Sequence, residues 1–130
     1  MPVSAKILEY AVEVDHGGRM TIPGGGQFVP PDGWSADHLL LAALVRCSLD
    51  SFAYHARRAG HEASSSGSAQ GTITKQGDDG RYRFVEIDVR IDAQLTPRTE
   101  VAGELVAKAE RDCFIGASLT VKPRYEWHVS

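Results

Sequence analysis

A chain of 130 residues is the length of one domain, and folding compactly it buries roughly 65–70% of the surface its unfolded form exposes. Its 42% hydrophobic and 24% charged residues exclude a disordered or fibrous protein, and a formal net charge of -3 lacks the basic footprint that a nucleic-acid backbone demands. From Met1 to Asp15 apolar and polar residues alternate in place of a secretory leader, and no apolar run approaches bilayer length; no membrane is expected, and the expected location is the cytoplasm.

In chain order, Leu8, Tyr10, Val12 and Val14 alternate with Glu9, Ala11 and Glu13, which predicts a first strand. Gly and Pro punctuate residues 16–33 and leave room for short strands at Met20–Ile22 and Gln27–Val29. Ser35 is a candidate N-cap for a long helix that runs to Gly60. Its first half, Leu39 to Val45, is apolar on nearly every side, which predicts burial all round against a sheet or a partner helix. The Ser-, Gly- and Ala-rich stretch 63–71 has weak strand character, with a linker as the alternative. A turn at 76–80 leads to a strand in which Arg83, Val85, Ile87, Val89 and Ile91 share one face, and the two segments suggest a hairpin. Thr96-Pro97 is read as the start of a second helix with the stripe Val101, Leu105, Val106 and Ala109 up to Asp112. A closing strand puts Leu119, Val121, Tyr125 and Trp127 on one face. Strands before, between and after two helices predict one antiparallel α+β domain spanning 1–130.

Two cysteines are too few for a disulfide framework. Cys47 lies inside the apolar helix and Cys113 follows the second one; from spacing alone they are core thiols, redox thiols or, least of all, metal ligands, since no CxxC is present and the five histidines form no ligand-like group. A working nucleophile must be a thiolate, so it needs a positive partner; Cys47 sits mid-helix, which removes its own helix N-terminus from consideration and directs attention to an arginine. Gly24-Gly25-Gly26 lacks the Lys-Ser/Thr of a phosphate loop and is a turn, so no nucleotide is expected.

The run Ser35-Ala36-Asp37-His38-Leu39-Leu40-Leu41-Ala42-Ala43-Leu44-Val45-Arg46-Cys47 resembles the signature of the OsmC/Ohr family of osmotically inducible and organic hydroperoxide resistance proteins. The resemblance continues through Ala59-Gly60-His61, the strand around Ile87-Asp88-Val89 and the segment from Ala109 to Lys122 with its second cysteine, and so covers nearly the whole chain. It implies an OsmC-like fold, with an antiparallel sheet wrapped around a long buried helix and two chains interlocked as a homodimer. It implies a peroxidase in which Cys47 attacks an organic hydroperoxide, becomes a sulfenic acid and condenses with Cys113; a thiol or dithiol reductant, such as a lipoyl protein, restores it without a cofactor or metal. Arg19 matches the arginine of the N-terminal loop region, and Asp37 falls where the hydroperoxide reductases carry a glutamate that positions it.

Asp37 is one methylene shorter, and its alternative role is a favourable charge in a first helical turn. If 37–47 is one straight helix, Asp37 and Cys47 lie roughly 15 Å apart. Either the helix begins later or a partner chain supplies Asp37. Phe28 and Trp34 are candidates for an apolar substrate pocket or for a staple at the helix entry. The apolar surroundings of Cys47 suit an alkyl hydroperoxide, with hydrogen peroxide a second substrate. The rival from another class is a member of the same fold that binds a small apolar ligand at the dimer interface without turnover.

Overall fold

The computed structural model describes residues 5–130. The chain divides into two compact units, Met1–Ser35 and Ala36–Ser130. The first carries a three-stranded antiparallel sheet of β1 (Glu13–Val14), β2 (Met20–Thr21) and β3 (Gln27–Phe28). The predicted first strand thus shrinks to its last two residues. Its partner β2 is itself only two residues long, because turns at 15–18 and 22–26 bound it closely. Ile7, Leu8, Tyr10, Val12, Val14, Ile22, Phe28, Val29 and Trp34 are all exposed.

The second unit opens with α1 (Ala36–Arg58), which starts directly after Ser35 and stops where Gly60 adopts a positive φ of 90° while the His61 amide closes back onto the Ala56 carbonyl. It is followed by β4 (Glu62–Lys75), β5 (Tyr82–Thr96), α2 (Ala102–Arg111), α3 (Phe114–Ser118) and β6 (Arg124–Val129). The second sheet has the order β4-β5-β6. The expected hairpin pairs β4 with β5 antiparallel, but β6 joins β5 in parallel, so the sheet is mixed and not purely antiparallel. The cause is α2 and α3, which carry the chain back along the sheet before it re-enters as β6.

Ile87, Val89, Ile91, Ala93 and Leu95 of β5 point inward and are buried, while the outer face is charged, with Arg124 on Asp88 at 2.8 Å and Arg90 near Glu126 at 3.5 Å. Val85 departs from the expected alternation. The ladder skips it between the Thr72–Glu86 and Ile73–Phe84 pairs, and this bulge turns Phe84 onto the core. β5 also runs on through Thr96, so Pro97 ends a strand and does not begin a helix: proline has no N–H to continue the ladder. The helix begins at Ala102, and its Leu105 and Ala109 are buried against Phe52 and Ala56 of α1.

α1 is buried on one side only. Leu44, Ser48, Phe52 and Ala56, four residues apart, face the sheet and the short helices, while Ala42, Ala43, Arg46 and Asp50 are exposed. Burial on all sides does not occur within one chain, because β4, α2 and α3 cover a single stripe. By length and composition α1, with a mean hydropathy of 1.2, is also long and apolar enough to cross a membrane, more than its uninterrupted apolar run suggests. Its mid-helix Arg46 and Asp50, paired at 3.4 Å, and its packed stripe mark it as the packing helix of this unit.

Candidate active site

Cys47 and Cys113 come together where α1 meets the junction of α2 and α3. Cys47 projects from α1, one residue before the buried stripe, and is half-buried; Cys113 is fully buried in the cluster of Leu44, Ile87, Val89 and Ile91 against which Cys47 packs. Both thiols are free.

The start of α3 divides its unpaired amides between the two sulfurs. The Ile115 and Phe114 amides act on Cys47, and the Gly116 amide donates to Cys113 Sγ at 3.4 Å, so that Cys113 caps the helix with its own side chain. Cys47 therefore does meet helix-start amides, though not those of its own helix. They favour its thiolate, but burial outweighs them and the neighbouring Cys113 adds to the opposition, so the Cys47 pKa stands above the ordinary thiol value.

Behind Cys113 lies a hydroxyl pair. Ser48 Oγ, buried, donates to the Leu44 carbonyl at 2.9 Å and lies 3.0 Å from the Tyr125 hydroxyl and 3.6 Å from Cys113 Sγ. Burial, followed by the nearby Cys113, pushes the Tyr125 phenol up to about 12, against the counter-pull of Ser48. Sequence reasoning did not single out either residue. The available signal was a serine set on the apolar stripe of α1 midway between Leu44 and Phe52.

The junction is anchored on its other side by Asp112. Its carboxylate accepts from Arg111 at 2.8 Å and meets His55 Nε2 of α1 at 2.8 Å, and Arg111 first, then His55, holds its pKa down at about 2. Ser51 of α1 donates to the Ala109 carbonyl at 2.9 Å. Two hydrogen bonds from α1 thus fix the end of α2, and with it the position of Cys113.

The remaining sequence-derived candidates are Asp37, on the same helix as Cys47, and three residues before that helix. Asp37 is exposed in the first turn of α1, and because the helix is continuous from Ala36, a later start is ruled out: Asp37 and Cys47 of one chain are about 15 Å apart. Arg19, Phe28 and Trp34 belong to the N-terminal unit. Arg19 leaves a tight turn in which Asp15 Oδ1 accepts from the Gly17 and Arg19 amides, each at 2.9 Å, and Phe28 and Trp34 are exposed. Among the described residues no group of three His, Cys, Asp or Glu side chains is arranged to hold a metal.

A known family model, OsmC-like protein, matches residues 29–128 of this chain. The chain belongs to the OsmC-like family. Solved OsmC-like structures agree in fold. One from Vibrio cholerae, an OsmC-like protein of unknown function, superposes with a TM-score of 0.76 at 16% identity over 93% of this chain and 99% of the other. An OsmC-like protein from Mycoplasma pneumoniae gives 0.73 at 17% identity over 97% and 99%. The organic hydroperoxide resistance protein of Bacillus subtilis gives 0.58 at 19% over 94% and 96%. No curated protein matches the chain.

Proposed function

We propose that this OsmC-like protein is a thiol-dependent peroxidase that reduces organic hydroperoxides, and hydrogen peroxide as a second substrate, with Cys47 as nucleophile and Cys113 as its disulfide partner. The observation that carries the reading is the meeting of the two free thiols at one junction, the outer one half-buried and the inner one enclosed. The Cys47 thiolate attacks the distal peroxide oxygen, the O–O bond breaks, and the alkoxide takes up a proton and leaves as alcohol. Cys47 is left as a sulfenic acid. The Cys113 sulfur then attacks that of Cys47, the S–O bond breaks, water leaves and a disulfide forms; a dithiol, lipoyl-bearing or otherwise, restores both thiols by exchange. Arg19 supplies the positive charge that Cys47 needs, and Asp37, too far from Cys47 along α1, orients it from a second copy of the chain.

The homodimer this requires is supported by the exposed apolar residues of the N-terminal unit and the uncovered side of α1, and Phe28 and Trp34 line the approach of an alkyl substrate. Two free thiols suit a reducing cytoplasm. A second reading, a ligand-binding protein of this fold without turnover, is favoured by one observation: within the chain, burial holds Cys47 toward its neutral form.

Peroxide consumption with a dithiol reductant separates them. The expected outcome is turnover of an alkyl hydroperoxide faster than of hydrogen peroxide, abolished in Cys47→Ser, while Cys113→Ser keeps a single reduction and loses the intramolecular disulfide. No consumption by the wild type sinks the enzymatic reading and leaves the ligand-binding one.

A further inference from the structure

Attack on a peroxide at Cys47 makes no use of the Ser48 and Tyr125 hydroxyls, which converge on the other thiol. Ser48 has one hydroxyl proton and gives it to the Leu44 carbonyl, so toward its other neighbours its oxygen can only accept. It takes the Tyr125 O–H at 3.0 Å and the Cys113 S–H at 3.6 Å. The Tyr125 hydroxyl is also a hydrogen-bond neighbour of Cys113, and a Cβ placed on Gly116 would stand 3.5 Å from both Cys113 Sγ and the Tyr125 oxygen, so the two atoms border one small space. Of the described side chains with buried polar atoms, none is left without a partner, so the cluster is complete.

We propose that Ser48 and Tyr125 are positioning residues for Cys113: they hold its thiol while Cys47 is reduced and stabilise its thiolate when it attacks the Cys47 sulfur. The proposal deepens the two-cysteine reading above and rests on it for its role in turnover. In the resting state the S–H points to Ser48. As Cys113 attacks, the S–S bond forms, the S–O bond of the Cys47 sulfenic acid breaks, and the Cys113 proton leaves with the hydroxide as water. As that proton departs and before the S–S bond closes, the Tyr125 O–H turns from Ser48 to Sγ, where it joins the Gly116 amide as a second donor to the developing thiolate. A phenol held protonated far above neutral pH remains a donor throughout.

The test needs no peroxide. Dithiodipyridine releases one thiopyridone when Cys47 attacks it and a second when Cys113 closes on the resulting mixed disulfide, so stopped-flow absorbance reads the two steps separately. Tyr125→Phe, which keeps the ring stacked 5.9 Å from Trp127, and Ser48→Ala are expected to leave the first phase unchanged and to slow the second about tenfold or more. The loss should be largest below neutral pH, where the variants have only their free thiolate to offer, and Ser48→Thr, which keeps a hydroxyl, should restore most of the rate. Unchanged near-ultraviolet circular dichroism excludes a folding defect as the cause. A wild type without a second phase, variants that match it, or a loss equal at every pH overturns the assignment. Absence of peroxide turnover in the wild type bears instead on the function proposed above.

Discussion

Burial raises the Cys47 pKa and the amides of Ile115 and Phe114 oppose it without prevailing, so this thiol is mostly protonated at neutral pH unless a cation stands beside it. A raised pKa means that alkylation by iodoacetamide climbs about tenfold per pH unit through neutrality, while a guanidinium within reach favours the thiolate and moves the whole profile to lower pH. If Arg19 is that cation, wild-type Cys47 is alkylated rapidly below neutral pH, and Arg19→Ala moves the midpoint upward by about one to two units. Equal midpoints would remove Arg19 from the site. Both cysteines were legible in the sequence because sulfur chemistry narrows the choices to a few. Ser48 and Tyr125 were not, since a serine within a helix and a tyrosine on an apolar strand face are ordinary packing residues until the fold brings them to 3.0 Å.

At the scale of elements, β4 was the hardest to read and its composition explains why. On the face toward α1 the strand carries Ala63, Gly67, Ala69 and Gly71, small because the helix lies across it and leaves room for little more than backbone, while Ser64, Ser66 and Ser68 are exposed. A Cβ on Gly67 would stand 2.9 Å from the Arg90 carbonyl oxygen and 3.1 Å from a Val45 methyl of α1. Small residues that mimic a linker are in this strand the condition for a helix to approach a sheet. Gly67→Ala should therefore destabilise by about 1–3 kcal/mol through overpacking, read as a lower urea midpoint at unchanged slope. Gly103, in α2, has open space where its Cβ would be, and Gly103→Ala should stabilise by about 0.5–1 kcal/mol. The same substitution thus has opposite signs at two sites, and a loss at Gly103 or a gain at Gly67 would contradict this packing account. For the start of α2, Pro97 fits a helix start and a strand end equally well, and only the inward alternation continuing through Ala93 and Leu95 decides between them. The parallel placement of β6 has no local signature at all, being set by where α2 and α3 return the chain.

For the molecule as a whole, the question is whether the site is made by one chain or two. Asp37 and Cys47 occupy one unbroken helix about 15 Å apart, so a catalytic Asp37 must come from another copy. In a two-fold dimer each Cys47 then faces the partner's acid, and each chain gives its own acid to the opposite site. Subunit mixing tests this without any structure of the dimer. Cys47→Ser chains have no nucleophile and Asp37→Ala chains have no acid. When the two are unfolded together and refolded, half of the dimers should be mixed, and in each of these one site joins an intact Cys47 to an intact Asp37. Peroxidase activity should recover to about one quarter of wild type, from two preparations that are each far less active alone. If acid and thiol act within one chain, no mixed dimer contains a complete site and nothing is recovered. A monomeric protein with full activity would equally refute the shared site, and the exposed apolar residues of the N-terminal unit would then need another occupant.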